Sequence, residues 1–394
     1  MSITELSAIK SITPKKFDDH QWIVNTDDGR NVLLNKQSFE LLSILKNSSD
    51  EADAHQKFIE HFNRPLTQSD FSRLISTTFA PLTILDENVS SKKKEFLTLK
   101  IPLIKAQYAG LLASPFVKLF SQRVFWLILS VAFAFNILSL IFAPFDWFSV
   151  SPSSALLLSV LIGFSMPIHE LGHIAACRNF GIKHGEIGFG FYLIFPIVYA
   201  DITQIWNASK QQRIIANLGG IYLELIYSAL LFSIHSIPGY DLLFWAAVGV
   251  FIKAITELNP FIRYDGYWLL SDISNTPNLM SRSKQAAHRF FSKLSKQNLN
   301  FQPLTRKEKL LTVYALSNML IVLAYFVYVI VKYQKEILEF PVALYSLLLQ
   351  VIHLEFSAMH FPEGFLWVLG LYVLTAKLIL TFVVNKIKSS ALVA

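Results

Sequence analysis

Residues 147–178 read WFSVSPSSALLLSVLIGFSMPIHELGHIAACR. From Trp147 to Ile168 no side chain is charged, and then His169, Glu170 and His173 follow within five residues. A run of about 20 apolar residues is long enough to cross the ~30 Å hydrocarbon layer of a bilayer. Helical residues four apart share a face, so His169 and His173 can bind one metal ion with Glu170 beside it. At such a depth a charged group costs several kcal/mol, roughly 2.5–3.5 for Asp or Lys at a helix centre, so a functional role is the default reading. The expected fold class is therefore a polytopic α-helical membrane protein with its reactive groups on one of the membrane helices.

Composition points the same way. Of 394 residues, 53% are hydrophobic and 16% charged, against about a quarter charged in an ordinary globular protein. The long apolar runs begin only after Arg123. Residues 1–90 carry nine Lys and Arg against thirteen Asp and Glu, a net of −4, so with +7 overall the remainder carries +11. A basic membrane part is what cytoplasmic loops obeying the positive-inside rule produce. The acidic amino-terminal region argues against nucleic acid as a partner. Its first twenty residues have six charges and no apolar core, so no signal peptide is read there and the amino terminus is expected in the cytoplasm. The single cysteine, Cys177, excludes an intramolecular disulfide and gives no support to a thiolate zinc cluster; packing in a helix is its expected role.

Within residues 1–90, Trp22–Val24 and Val32–Leu34 read as a hairpin around Asp27-Asp28-Gly29. Asn35 caps a helix with Phe39, Leu42 and Leu45 at helical spacing, a second helix is expected at Glu51–Phe62, and a third follows Thr67 and Asp70. With a returning strand at Leu82–Leu85, this predicts a small α+β winged-helix-like cytoplasmic domain. Residues 91–123, opening on Lys92–Lys94, read as a linker.

Spans are predicted at Val124–Ala143, at Trp147–Ile168 continuing through the histidines toward Arg178, at Ile214 to about Ile237, at Leu242 to about Leu258, at Leu310–Val331 and at Gly364–Val384. Phe340–Ile352 is short and reads as tilted, re-entrant or interfacial, so the total is six or seven and the side of the carboxyl terminus is open. Lys118 and Arg123 before the first span, Arg178 and Lys183 after the second, and eight basic residues between Met280 and Lys309 put the histidines near the cytoplasmic face. Residues 124–275 form the expected catalytic core, 276–309 a basic cytoplasmic loop and 310–394 the last transmembrane helices.

A catalytic zinc normally takes three protein ligands and keeps a fourth position for water. The third ligand is sought at the break Asn259-Pro260-Phe261-Ile262-Arg263-Tyr264-Asp265-Gly266, where Asp265 lies at the depth expected for the histidines; Asp272 is the rival. One Zn2+ per chain is expected on His169, His173 and Asp265, with Glu170 as the catalytic general base and Asn259 contacting substrate backbone or oxyanion. Lys253 and Glu257 are four apart and able to pair, and Glu224 reads as the partner of a polar group facing its helix. His184, His235, His353 and His360 read as loop or interface residues, and Asp201 and Asp272 as surface carboxylates.

His169-Glu170-Leu171-Gly172-His173, with Asn259-Pro260 and Asp265-Gly266, resembles the site-2 protease family of intramembrane zinc metalloproteases. The resemblance covers roughly residues 150–275. It implies a three-helix catalytic core, and it makes Gly185–Pro196 similar to the family's membrane-associated β-segment, whose edge pairs with an unwound substrate. Leu218-Gly219-Gly220 is similar to the family's small-residue motif. More weakly, the hairpin and Leu34–Leu42 resemble a PqqD-type peptide-recognition domain, which implies leader-peptide binding. Together they are similar to bacterial peptide zinc metalloproteases. The implied function is hydrolysis of a small ribosomally made precursor peptide during maturation or export, in a multi-pass protein of the bacterial plasma membrane. The implied partners are the lipid bilayer, a peptide or membrane-protein substrate and a peptide exporter. The competing readings are proteolysis of a single-span membrane regulator and a non-enzymatic transporter or immunity subunit.

Overall fold

The structure, a computed structural model, describes Ile9 and residues 12–17, 21–25, 31–79, 98–142, 155–192, 195–235, 241–294, 304–353 and 361–391. The chain forms two units, Met1–Phe191 with Pro196–Asn275, and Tyr192–Phe195 with Thr276–Ala394. In the first, β1 (Lys15–Lys16), β2 (Gln21–Asn25) and β3 (Asn31–Asn35) make an antiparallel sheet with Trp22 opposite Leu34. Asn35 Oδ1 accepts the Ser38 N–H at 2.8 Å and so starts α1 (Lys36–Lys46). Asp50 does the same through Asp53 for α2 (Glu51–Phe62), and Thr67 through Asp70 for α3 (Gln68–Phe79). Leu41, Leu42, Leu45, Phe58, Phe71 and Ile75 recur at helical spacing and close one core under the sheet. The short β1 is an addition to the expected hairpin. The expected strand at Leu82–Leu85 and the lysine run lie outside the described residues.

Residues 98–120 depart from the linker reading. Leu99, Ile101 and Leu103 alternate with Lys100 and Pro102, the period of a strand. They form β4 (Thr98–Ile104), antiparallel to β5 (Ile187–Tyr192), with β6 (Phe195–Ala200) on the other side. Then α4 (Ala106–Ala113) and a 3-10 segment (Ser114–Phe120) lead into α5 (Gln122–Phe142).

The run Ala155–Asn179 consists of α6 (Ala155–Gly163) and α7 (Ser165–Asn179). The expected third span is two helices, α8 (Lys210–Asn217) and α9 (Gly219–His235), bent by 43°. A Cβ on Gly172 would run into the Gly219 backbone, and one on Gly219 into that of Gly172, so α7 and α9 cross with main chains in contact. α10 (Asp241–Glu257) packs beside α9. Buried Asn136 of α5 donates to Leu225 O at 3.0 Å, and the single hydroxyl proton of Ser228 is shared between Asn136 Oδ1 and Ala247 O, the latter at 2.9 Å. One polar relay thus ties α5, α9 and α10 inside an apolar bundle. α11 (Asp265–Ile273) closes this unit.

In the second unit, α12 (Leu279–Leu294) leads to α13 (Arg306–Lys332), started by a capping box between Thr305 and Glu308. α14 (Gln334–Ile352), with Pro341 inside it, and α15 (Phe365–Ala391) pack on α13 through Val329, Phe340, Phe365 and Val368.

Among the described residues, three helical runs are long and apolar enough to cross a membrane, Gln122–Phe142, Ala155–Asn179 and Arg306–Lys332, or four if the bent pair counts as one span. The chain is mostly helical, as a helical membrane protein would be, with a small amino-terminal sheet. The other expected spans are helices with shorter apolar lengths: α10 has 17 residues, and the apolar part of α15 is Phe365–Leu380.

Candidate metal centre

His169 and His173 sit one turn apart on α7, 7% and 6% exposed, with their Nε2 atoms 3.0 Å apart. Asp265 is the first residue of α11. A Cβ on Gly266 would overlap the Leu258 carbonyl, so the turn after α10 folds tightly back on the helix end and delivers Asp265 to the histidines. Asp265 Oδ2 lies 3.0 Å from His169 Nε2 and 3.2 Å from His173 Nε2. The structure therefore brings the two histidines and Asp265 together. Glu170, 7% exposed, is next to His169 on the same helix.

The arrangement tests whether a metal fits. His173 Nδ1 is 2.8 Å from the Ala216 carbonyl, which can only accept, so the proton belongs on Nδ1 and Nε2 presents a lone pair. His169 Nδ1 faces two carboxylate oxygens, Glu257 Oε2 at 2.9 Å and Glu224 Oε2 at 3.3 Å, so its Nε2 is bare as well. Three lone-pair atoms then converge with no hydrogen between them, and Asp265 Oδ2 is buried without a hydrogen bond. Ligands about 2.0–2.1 Å from a tetrahedral zinc stand about 3.3 Å apart, close to the separations found. Charge agrees: Glu224, Glu257 and Asp265 are three carboxylates served by one ammonium, Lys253, so a divalent cation brings the group to neutrality. The donor set, two imidazoles and a carboxylate, suits zinc.

Asn259 lies in the turn between α10 and α11, and its Oδ1 accepts the Phe261 N–H at 2.9 Å. Asp272 is not the surface carboxylate expected. It is 7% exposed, accepts from Arg213 Nε at 2.6 Å and from Asn217 Nδ2 at 2.7 Å, and clamps α11 to α8. Sequence reading missed it because Arg213 lies 59 residues away and nothing local links the two. His184 accompanies Arg178 beside Gly110, and His235 packs against Phe244 with its ring tilted by 58°. The sequence pairs Lys253 with Glu257 and gives Glu224 a polar partner, as found, but does not reveal that both carboxylates stand behind His169.

No family model matches the chain, and no solved structure matches it. The chain is similar to a Bacillus subtilis (strain 168) protein named "Putative peptide zinc metalloprotease protein YydH", with 28% identity over 158 residues. The match takes in 38% of this chain and 62% of that relative, under two thirds of its length.

Proposed function

We propose that this chain is an intramembrane zinc metalloendopeptidase of the site-2 protease type, which hydrolyses a peptide bond in a small ribosomally made precursor peptide. The observation that carries the reading is the convergence of His169 Nε2, His173 Nε2 and Asp265 Oδ2 beside Glu170, with both histidines and Glu170 in the helical run Ala155–Asn179, which is long and apolar enough to cross a membrane. The relative's name supports zinc metalloprotease chemistry. Bound zinc would polarise the scissile carbonyl and acidify the attacking water. The Glu170 carboxylate takes the proton of that water and passes it to the nitrogen of the leaving amine. Beyond the three carboxylates balanced by Lys253 and a divalent ion, Glu170 is the additional buried one, suited to gaining a proton in that step. The oxygen of the Asn259 carboxamide is engaged by Phe261, which orients its NH2 group for donation to substrate backbone. β4 and β6 are the edges of their sheet, and an extended peptide adds to such an edge by backbone hydrogen bonds.

In this reading residues 1–90 are a PqqD-like domain that holds a leader peptide in the cytoplasm, and the rest is a multi-pass protein of the bacterial plasma membrane, working beside a peptide exporter. The test is Glu170→Gln, co-expressed with a short precursor peptide and followed by mass spectrometry of new termini. The variant should keep one zinc per chain while cleavage falls by about 10²–10⁴-fold. Wild-type cleavage in that variant would end the proposal. Cleavage of a single-span membrane regulator, with precursor peptides left intact, would keep the enzyme and replace the substrate.

A further inference from the structure

The two histidines are supported differently on the side away from the metal triad. His173 Nδ1 meets a single backbone carbonyl, Ala216 O. His169 Nδ1 meets two carboxylates from two other helices: Glu257 Oε2 of α10 at 2.9 Å and Glu224 Oε2 of α9 at 3.3 Å. Glu224 is fully buried. The remaining oxygens of both carboxylates face one ammonium, with Lys253 Nζ 2.6 Å from Glu257 Oε1 and also paired to Glu224 Oε1. Lys253 and Glu257 are one turn apart on α10, so the helix itself sets their spacing.

We infer that Glu257 and Glu224, cross-linked by Lys253, are positioning residues that hold the proton of His169 on Nδ1 and aim its Nε2 at the metal. An unprotonated Nδ1 would set a lone pair against two carboxylates at about 3 Å, so the neutral ring is driven into the tautomer that ligates through Nε2. A carboxylate behind a ligating imidazole also makes the ligating nitrogen more basic. The three atoms His169 Nδ1, Glu224 Oε2 and Glu257 Oε2 could themselves surround a cation. The ammonium of Lys253 already supplies a cation to both carboxylates through their other oxygens, which assigns the cluster to support and not to a second metal. Three charged side chains from two helices are thus committed to one ring. The cluster also explains charges that the apolar sequences of α9 and α10 do not otherwise need.

This inference rests on the proposed metal site, and the experiment separates the two. Full-length protein in detergent is loaded with Zn2+, and stoichiometry and affinity are measured by competition with a chromogenic chelator. Co2+-substituted protein gives the visible spectrum of the site. Wild type should hold one zinc and Asp265→Ala should hold none; a wild type without zinc overturns the metal site itself. Glu257→Ala should still bind one zinc, about 10- to 100-fold more weakly, with a shifted cobalt spectrum. Glu257→Gln keeps an acceptor oxygen of the same shape and should recover most of that affinity. Metal-free melting of each variant identifies any that fails to fold, and Glu257→Gln, being isosteric, keeps the comparison available. Zinc affinity and cobalt spectrum unchanged in a folded Glu257→Ala would overturn the assignment while leaving the metal site standing. Two zinc ions in wild type and one in Glu257→Ala would replace it with a second metal site.

Discussion

Gly220 has no side chain because the His169 imidazole occupies the place where its Cβ would stand. A methyl group there must push the ring, and a ligand tilted off its metal loses affinity. Gly220→Ala should therefore fold, with Asn136 and Ser228 still bonded, yet bind zinc at least about tenfold more weakly by chelator competition. Unchanged affinity would show that the ring has room to move. The same crowding sets a pH dependence. The only other occupant suited to the gap between the two Nε2 atoms and Asp265 is a proton, so metal and proton compete. Zinc should be retained at neutral pH and released as the pH falls and protons take the ligand atoms. Occupancy measured across a pH series checks the direction. The pentapeptide was legible at this scale because helical spacing alone puts its histidines on one face. Asp265 was legible because Pro260 and Gly266 break a helix where a break needs a reason. The partners of the Nδ1 atoms were not, since Ala216 O and Glu257 reach them only through packing.

Among the elements, the site depends on three helices meeting. Gly172 and Gly219 let α7 and α9 cross with main chains in contact, and the relay through Asn136 and Ser228 holds α5 and α10 to the same bundle. α11, which begins with Asp265, is held by Asp272 to Arg213 and Asn217. Arg213 is 1% exposed, and its guanidinium also lies 4.1 Å over the Phe17 ring next to β1. Removing the partner of a buried charge typically costs about 3–5 kcal/mol, because the remaining charge stays buried and unpaired. Asp272→Ala should lower stability by that order in denaturant melts and weaken zinc binding with it. The pair Arg213→Met with Asp272→Leu should regain much of the stability. If the single variant melts like wild type, the clamp contributes nothing. These helices were largely legible from apolar runs and caps. The bend at Leu218 was not, since the apolar pattern continues through it, and β4 was hidden behind a charge run.

At the scale of the molecule, the proposed topology puts the acidic amino-terminal domain and the basic stretch 280–309, which takes in α12 and the start of α13, on the cytoplasmic side. The lone cysteine, Cys177, is fully buried, which leaves the rest of the chain open to single-cysteine labelling. Lys284→Cys, at an exposed position of α12, should react with a membrane-impermeant maleimide only after cells are permeabilised. Labelling of intact cells would invert the topology and place the histidines near the opposite face.

By itself the sequence determined the class of the molecule and most of the candidate site. Apolar length, the spacing of His169 and His173, and a broken helix before Asp265 are properties of neighbouring residues, and neighbours along a chain constrain one another through backbone geometry. Only the tertiary structure decided what stands behind those groups. Glu224, Lys253 and Glu257 face His169, Arg213 faces Asp272, and residues 98–104 pair with 187–191. Each of these contacts joins segments separated by tens of residues. Their energies come from burial and charge pairing that no local pattern encodes.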